Sequence, residues 1–210
     1  NTSDAVEAMR LAALGVAHAE RSGQAAAQGR ALRVLGLLLG EAGDYAQAET
    51  VLERALALLG GPTADGAAPV LDELGYVYQE THRYDRAGTA LAQAVALKER
   101  LDGPDSYSVA LSLNALGSLR TAQERHAEAE PLYRRALRIA ETNGRTAAAA
   151  AIRSNLGWSI QRQGRYAEAE PLLRQAAEAV ETSLGPDHED TASAWANLAG
   201  DLQDQGRHAE

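Results

Sequence analysis

Apolar residues along this chain recur at helical spacing. Leu32, Leu35, Gly36 and Leu39 follow the i, i+3, i+4, i+7 rule of one helix face. Ala48, Leu52, Ala55 and Leu56 do the same a few residues later, and Gly43-Asp44 between them is a turn signal. The pattern predicts two amphipathic helices joined by a tight turn. Gly36 and Ala48 are small at the points where two helix backbones must approach, and a large residue there would push the pair apart.

This two-helix text returns along the chain. Leu35-Gly36 recurs as Leu74-Gly75, Leu116-Gly117, Leu156-Gly157 and, relaxed, Leu198-Ala199, so the small residues lie 39, 42, 40 and 42 positions apart. Gly43-Asp44-Tyr45 with Ala48-Glu49 and Ala55-Leu56 finds echoes in Tyr84, Ala87 and Ala94-Val95. The third copy reads His126-Ala127-Glu128-Ala129-Glu130-Pro131, and the fourth Gly164-Arg165-Tyr166-Ala167-Glu168-Ala169-Glu170-Pro171. Gly103-Pro104-Asp105 and Gly185-Pro186-Asp187 place a helix stop, a proline and a capping Asp between units. Asp4 to Glu20 reads as the second helix of a preceding unit. The expected layout is one array: a partial unit over 1–26, units over 27–65, 66–106, 107–146 and 147–187, and a truncated unit over 188–210. That makes about ten helices in an all-α solenoid of antiparallel helix pairs.

Composition agrees with that layout and narrows the partners. Ala and Leu supply most of the apolar content, Phe is absent, and both lead the helix-propensity ranking. A formal charge of −9 and the lack of any basic run argue against nucleic acid and anionic membrane surfaces. No apolar window is long enough to span a bilayer. There is no cysteine, hence no disulfide or thiolate metal site, which is compatible with a cytoplasmic location. The start, Asn1-Thr2-Ser3-Asp4, has no signal-peptide shape, and Gly206 to Glu210 stops inside the recurring text, so the expectation is a fragment of a longer protein.

Leu156-Gly157, Gly164 to Leu173, Leu184-Gly185-Pro186-Asp187-His188, and then Trp195, Asn197 and Leu198 together resemble the tetratricopeptide repeat (TPR). The resemblance is specifically to the longer variant, of roughly 42 residues, found in kinesin light chains, and it extends from about Ala31 to Glu210. It implies a right-handed superhelix whose first helices line a concave groove that grips peptides. Three departures stand out. His82 and Glu124 replace the glycine before the second helix. Arg120 takes a usual core position, where its stem can lie along the core while the charge reaches water. Pro131 and Pro171 fall just beyond the first turn, which predicts a later helix start or a distorted turn.

The resemblance also implies which first-helix positions face the groove. They are Arg33, Val34, Leu37, Gly40 and Glu41 in the first copy, and Asp72, Glu73, Tyr76, Gln79 and Glu80 in the second. The third supplies Asn114, Ala115, Ser118, Thr121 and Ala122, and the fourth Ser154, Asn155, Trp158, Gln161 and Arg162. The fifth supplies Ala196, Asn197, Gly200, Gln203 and Asp204. Gln79, Thr121, Gln161 and Gln203, with Asn155 and Asn197 alongside, form a row of uncharged hydrogen-bonding groups suited to an extended peptide backbone, or simply to solvation. Tyr76 and Trp158 are candidate anchors, though aromatics also bury against a neighbouring repeat. Trp195 is expected to be structural. The basic clamp of arrays that bind acidic C-terminal tails is absent, and mixed groove charges favour a neutral or mildly basic ligand.

Catalytic patterns are missing: no Walker loop, no nucleophile elbow and no His-Glu-x-x-His helix. His188-Glu189-Asp190 reads as a helix start. His126 and His208 fill the slot of Tyr45, Tyr84 and Tyr166, where packing in the turn explains them. Asp72 and Glu73 are adjacent and point in different directions on a helix. No cofactor, metal or catalysis is expected. The expected function is a protein–protein interaction scaffold. The alternative is a structural sensor or assembly arm of a larger signalling protein, making intramolecular or homo-oligomeric contacts, with self-association one route at the C-terminal end where Trp195, Leu198 and Leu202 ask for a following helix.

Overall fold

The computed structural model describes residues 2–204, with side chains described over 5–200 and at Leu202. Ten helices account for nearly all of it, and no strand occurs among the described residues. The chain divides into two compact units, Asn1–Gly103 and Pro104–Glu210. The first holds α1 (Thr2–Ser22), α2 (Ala25–Glu41), α3 (Tyr45–Leu58), α4 (Ala68–Glu80) and α5 (Tyr84–Asp102). The second holds α6 (Tyr107–Ala122), α7 (His126–Thr142), α8 (Thr146–Gln161), α9 (Tyr166–Leu184) and α10 (Glu189–Asp204).

Within each unit consecutive helices pack as antiparallel pairs. First helices also meet side by side: α2 with α4 in one unit, α6 with α8 and α8 with α10 in the other. The small-residue slots explain this. A Cβ added at Gly36 would lie 2.5 Å from Leu52, one at Gly75 2.6 Å from Leu91, one at Gly117 2.6 Å from Tyr133, and one at Gly157 2.8 Å from Leu173. Each first helix therefore presents bare backbone to a large residue sixteen positions on, and each of those large residues is buried. Ala48, Ala87, Ala129 and Ala169 are buried on the second helices for the same reason. Burying a Leu of this kind is worth about 1.5–3 kcal/mol.

The turn inside each pair is also repeated. Asp44 N bonds Leu39 O, Arg83 N bonds Tyr78 O, Arg125 N bonds Arg120 O and Arg165 N bonds Ile160 O, closing the helix end on itself. That closure requires a left-handed residue, which Gly43 and Gly164 supply at no steric cost. His82 and Glu124 occupy the same slot at φ +57° and +58°. A side chain there costs about 1–2 kcal/mol. Glu124→Gly is accordingly expected to raise the stability of the second unit by about 0.5–1 kcal/mol, once the looser unfolded chain is counted. Urea titration reads this, and a lower midpoint for the variant would contradict it.

Pro131 and Pro171 neither delay nor break their helices. α7 begins at His126 and α9 at Tyr166, and both run through the proline. The carbonyls deprived of a donor belong to Ala127 and Ala167, both exposed residues outside the packed core. The Arg120 side chain is about a quarter exposed and its guanidinium donates to Gln123.

Arginine at the start of a second helix ties it to the second helix before it. Arg83 donates through Nη1 and Nη2 to both carboxylate oxygens of Glu49, at 2.7 and 2.8 Å. Arg165 does the same to Glu130, at 2.6 and 3.3 Å. The hydrogen bond from Arg83 holds the Glu49 carboxyl below its ordinary range. Burial pushes the Glu130 carboxyl up, but Arg165, Arg134 and Gln163 outweigh it and hold it low. Arg125 instead pairs inside its own helix with Glu128.

Both ends depart from a simple picture. α1 leaves Val6, Leu11 and Leu14 exposed. At the other end Leu198 and Leu202 are already buried, so the expected need for a following helix to cover them is not met. Trp195 is half-buried and donates its indole N–H to Glu181 at 3.0 Å. His188 immediately precedes α10, its carbonyl accepting from the Thr191 and Ala192 amides and its ring Nδ1 from the Asp190 amide.

Candidate functional site

In the first unit α2 and α4 set their inner positions face to face. Arg33 of α2 donates to Glu73 Oε1 of α4 at 2.5 Å. Asp72, the neighbouring acid, turns to Lys98 of α5, as expected of adjacent helical residues. Val34, Leu37 and Tyr76 remain exposed although apolar or aromatic. Tyr76 meets the Tyr45 ring edge-on at 6.3 Å, and the Tyr45 hydroxyl donates to Glu80 at 3.4 Å. Gln79 is half-buried one turn further along. Gly36 and Gly40, Leu37, Glu73 and Tyr76 enclose a cavity of about 160 Å³. Glu73 Oε2 is buried and has no hydrogen-bond partner. Burial raises the Glu73 carboxyl to about 7, despite the charge and hydrogen bond of Arg33.

In the second unit the amides at matching positions of α6 and α8 meet: Asn155 Nδ2 donates to Asn114 Oδ1 at 3.1 Å. Trp158 is 40% exposed for a side chain of its size. Its ring stands edge-on to buried His126 at 5.4 Å, and the Arg162 guanidinium lies 5.7 Å from its centroid. Ser159, next along α8, donates to the His126 carbonyl. Burial, and after it the charge of Arg162, lowers the His126 imidazole below its ordinary value, so the ring under Trp158 is neutral at pH 7. Thr121 turns inward, sharing a hydrogen bond with the Tyr133 hydroxyl at 3.3 Å, while Gln161 is half-buried. Asn197 of α10 is exposed and lines a cavity of about 370 Å³ together with Ala150, Ala151, Ser154, Ala176 and Val180. The side chain of Gln203 lies outside the described residues.

The structure thus brings Asn114, Asn155, Trp158 and Arg162 together on one face and puts Asn197 at a neighbouring cavity, with Thr121 half-buried and bonded to the Tyr133 hydroxyl. Sequence reasoning missed two things. One is the unpartnered carboxylate oxygen of Glu73. The other is the alanine-lined cavity, whose only signal was the run Ala147 to Ala151. No group of three or more His, Cys, Asp or Glu among the described residues is placed to hold a metal ion. No described helix is long and apolar enough to cross a membrane.

Models of the tetratricopeptide repeat match residues 66–142 and 148–210, and a second such model matches residues 29–54. No curated relative matches the chain by sequence comparison. Among solved structures, BtubC (BKLC) from P. vanneervenii is 21% identical, covers 97% of this chain and 85% of its own, and superposes with a TM-score of 0.81. A protein from Podosopora anserina with nearly identical kinesin-light-chain TPR-like repeats is 20% identical over 87% of this chain and 89% of its own, with a TM-score of 0.70. A Rap protein complexed with Competence and Sporulation Factor is 16% identical over 86% of this chain and 51% of its own, with a TM-score of 0.69. At these identities the likeness is one of fold.

Proposed function

The chain belongs to the tetratricopeptide repeat family, with repeats of the kinesin-light-chain kind, and from that premise we propose that it is a non-catalytic protein-interaction module. In this reading it holds an extended segment of a partner protein against the inner faces of its first helices. The observation that carries the reading is the setting of Trp158. A large aromatic left 40% open, braced by His126 and Arg162, loses little freedom when a partner covers it. The Asn114–Asn155 pair beside it keeps spare donors and acceptors for a peptide backbone. Gln161, Arg162 and Asn197 extend that surface in the second unit, and Tyr76 with Gln79 offers the equivalent surface in the first. The Rap complex supplies a precedent for a partner held by a protein of this architecture.

Selection of random peptides displayed against residues 1–210 tests the reading. Enriched peptides should lose at least about 30-fold in affinity for the Trp158→Ala, Asn155→Ala double variant, the size of a hot-spot loss. Far-UV circular dichroism should stay unchanged, since Trp158 is largely outside the core. Undiminished affinity in the double variant would discard the groove reading.

A further inference from the structure

In the second unit a cavity is lined by alanines where sister copies carry larger side chains. It measures about 370 Å³, the size of sites that enclose a ligand, and lies among α8, α9 and α10. Repeat register explains the space. Aligned on Leu91, Tyr133 and Leu173, which meet the small residues Gly75, Gly117 and Gly157, Ala179 stands where α5 has Leu97 and α7 has Ile139, both buried. Ala194 of α10 stands where α8 has buried Ile152, and Ala151 of α8 stands where α6 has Leu111. At three places around one space a side chain is cut back to a methyl, whereas protein interiors leave few voids larger than a water. The space is also reachable. Ala150 and Ala176 form a buried floor, Ala151, Ser193 and Asn197 at the mouth are exposed, and Leu184 at the edge is 46% exposed. Ser154, one turn before Trp158 on α8, belongs to the same lining.

Charge selects the occupant. Positions 175 to 200 hold Glu178, Glu181, Asp187, Glu189 and Asp190 and no Lys or Arg. Asp190 itself lines the cavity. Basic residues near the start of α8 are engaged elsewhere: Arg153 pairs with Glu141, and Arg145 stacks on Tyr107. An apolar hollow with an acidic border suits apolar side chains flanked by cations. The α1 helix of a second copy, which exposes Val6, Leu11 and Leu14, is a poorer match, because its Asp4, Glu7 and Glu20 outnumber Arg10 and Arg21.

We propose that this cavity takes two apolar side chains of a partner segment that carries lysine or arginine on either side of them. The proposal rests on the peptide-binding reading above and names the chemistry of its ligand at this end of the inner face. In an extended segment residues two apart point the same way, so a Leu-x-Leu pair enters together while the flanking cations meet the acidic border.

The experiment is an NMR titration of the ¹⁵N-labelled chain with the peptide acetyl-Lys-Leu-Ala-Leu-Lys-amide. Two control peptides carry Ser in place of Leu, or Glu in place of Lys. The expected result is saturable shifts at the amides of Ala151, Ala179, Ser193 and Asn197, with a Kd at or below about 1 mM. The serine peptide should give none, and the glutamate peptide should bind at least about tenfold more weakly. Ala179→Leu and Ala151→Leu each install a residue that a sister copy already carries and that helices favour, so far-UV circular dichroism should stay unchanged. Either should weaken the lysine peptide at least about tenfold by filling the hollow. Shifts that survive both variants, equal binding of the glutamate peptide, or no saturable shift at all would overturn the proposal. So would sedimentation in which the free chain dimerises and Ala179→Leu abolishes the dimer, since a second copy would then be the occupant. Displayed peptides keep this separate from the groove reading. Peptides that need Trp158 but bind Ala179→Leu undiminished would remove the cavity from the site and leave the groove reading standing. Binding of the lysine peptide with no Trp158-dependent peptide enriched would keep the cavity and discard the groove reading.

Discussion

Replacing Gly117 with valine is expected to cost the second unit about 3 kcal/mol, at the upper end of ordinary overpacking. The cause is the partner it meets. A Cβ at Gly117 would lie 2.6 Å from Tyr133 Cε1 and 2.9 Å from both Cδ1 and Cζ. Tyr133 is 1% exposed, and its hydroxyl is held by Ser118 and Thr121, so the ring has neither space nor freedom to turn aside. Gly200 is the control. A Cβ there meets nothing within 4 Å, so Gly200→Ala should be neutral or gain up to about 1 kcal/mol of helix propensity. Urea titration of both variants, and of Gly117→Val in a Tyr133→Leu background, makes the comparison. The penalty should shrink in the double variant, because contacting residues are not additive. Equal losses with and without the Tyr133 change would show that the clash is not the cause.

The second large effect is a pH dependence in the first unit. Glu73 has its carboxyl raised from an ordinary value near 4.5 to about 7, first by burial. Between those two values the folded chain therefore holds a proton that the unfolded chain has lost. Stability from this group is full below about 4.5 and falls as pH rises through 7, by about 3 kcal/mol in total. Carboxyls held low, such as Glu49 and Glu130, act in the opposite sense at more acidic pH. His126, held low, removes stability from the second unit as pH drops below about 6.5. The comparison that isolates Glu73 is thus parent against Glu73→Gln, by thermal or urea unfolding at pH 5 and pH 8. The glutamine variant should lose most of the drop seen in the parent. A parallel shift of both curves would mean that Glu73 is not desolvated as described.

The paired helices were legible because each repeat states its packing locally. Gly36, Gly75, Gly117 and Gly157 are small at a helical interval from large partners, and no other arrangement explains that spacing. The left-handed slot could be read at His82 and Glu124 because glycine stands there in the other copies. The inner face was less legible. Asn114 and Asn155 could be placed on it, but not paired, since their approach depends on how α6 and α8 pack. Thr121 could be placed in the row of uncharged hydrogen-bonding groups, but its contact with the Tyr133 hydroxyl, twelve residues on, could not be foreseen. Glu73 could be placed on the inner face beside Asp72, but its burial could not be read, because desolvation is a property of the neighbouring helix and leaves no mark in local sequence. Pro131 was misjudged because the helix start depends on which carbonyls face water, which residue order alone does not state.

The arginine ties between successive second helices imply a grammar of order. Glu49, Glu130 and Glu170 follow their buried alanines, whereas Gly88 follows Ala87. A chain engineered to place the second copy directly ahead of the fourth would strip Arg165 of its acceptor on the preceding second helix and leave it Glu168 of its own helix. The copies look alike as modules, yet they are addressed to particular successors, and shuffling them would erase information that the helix pairs themselves do not carry.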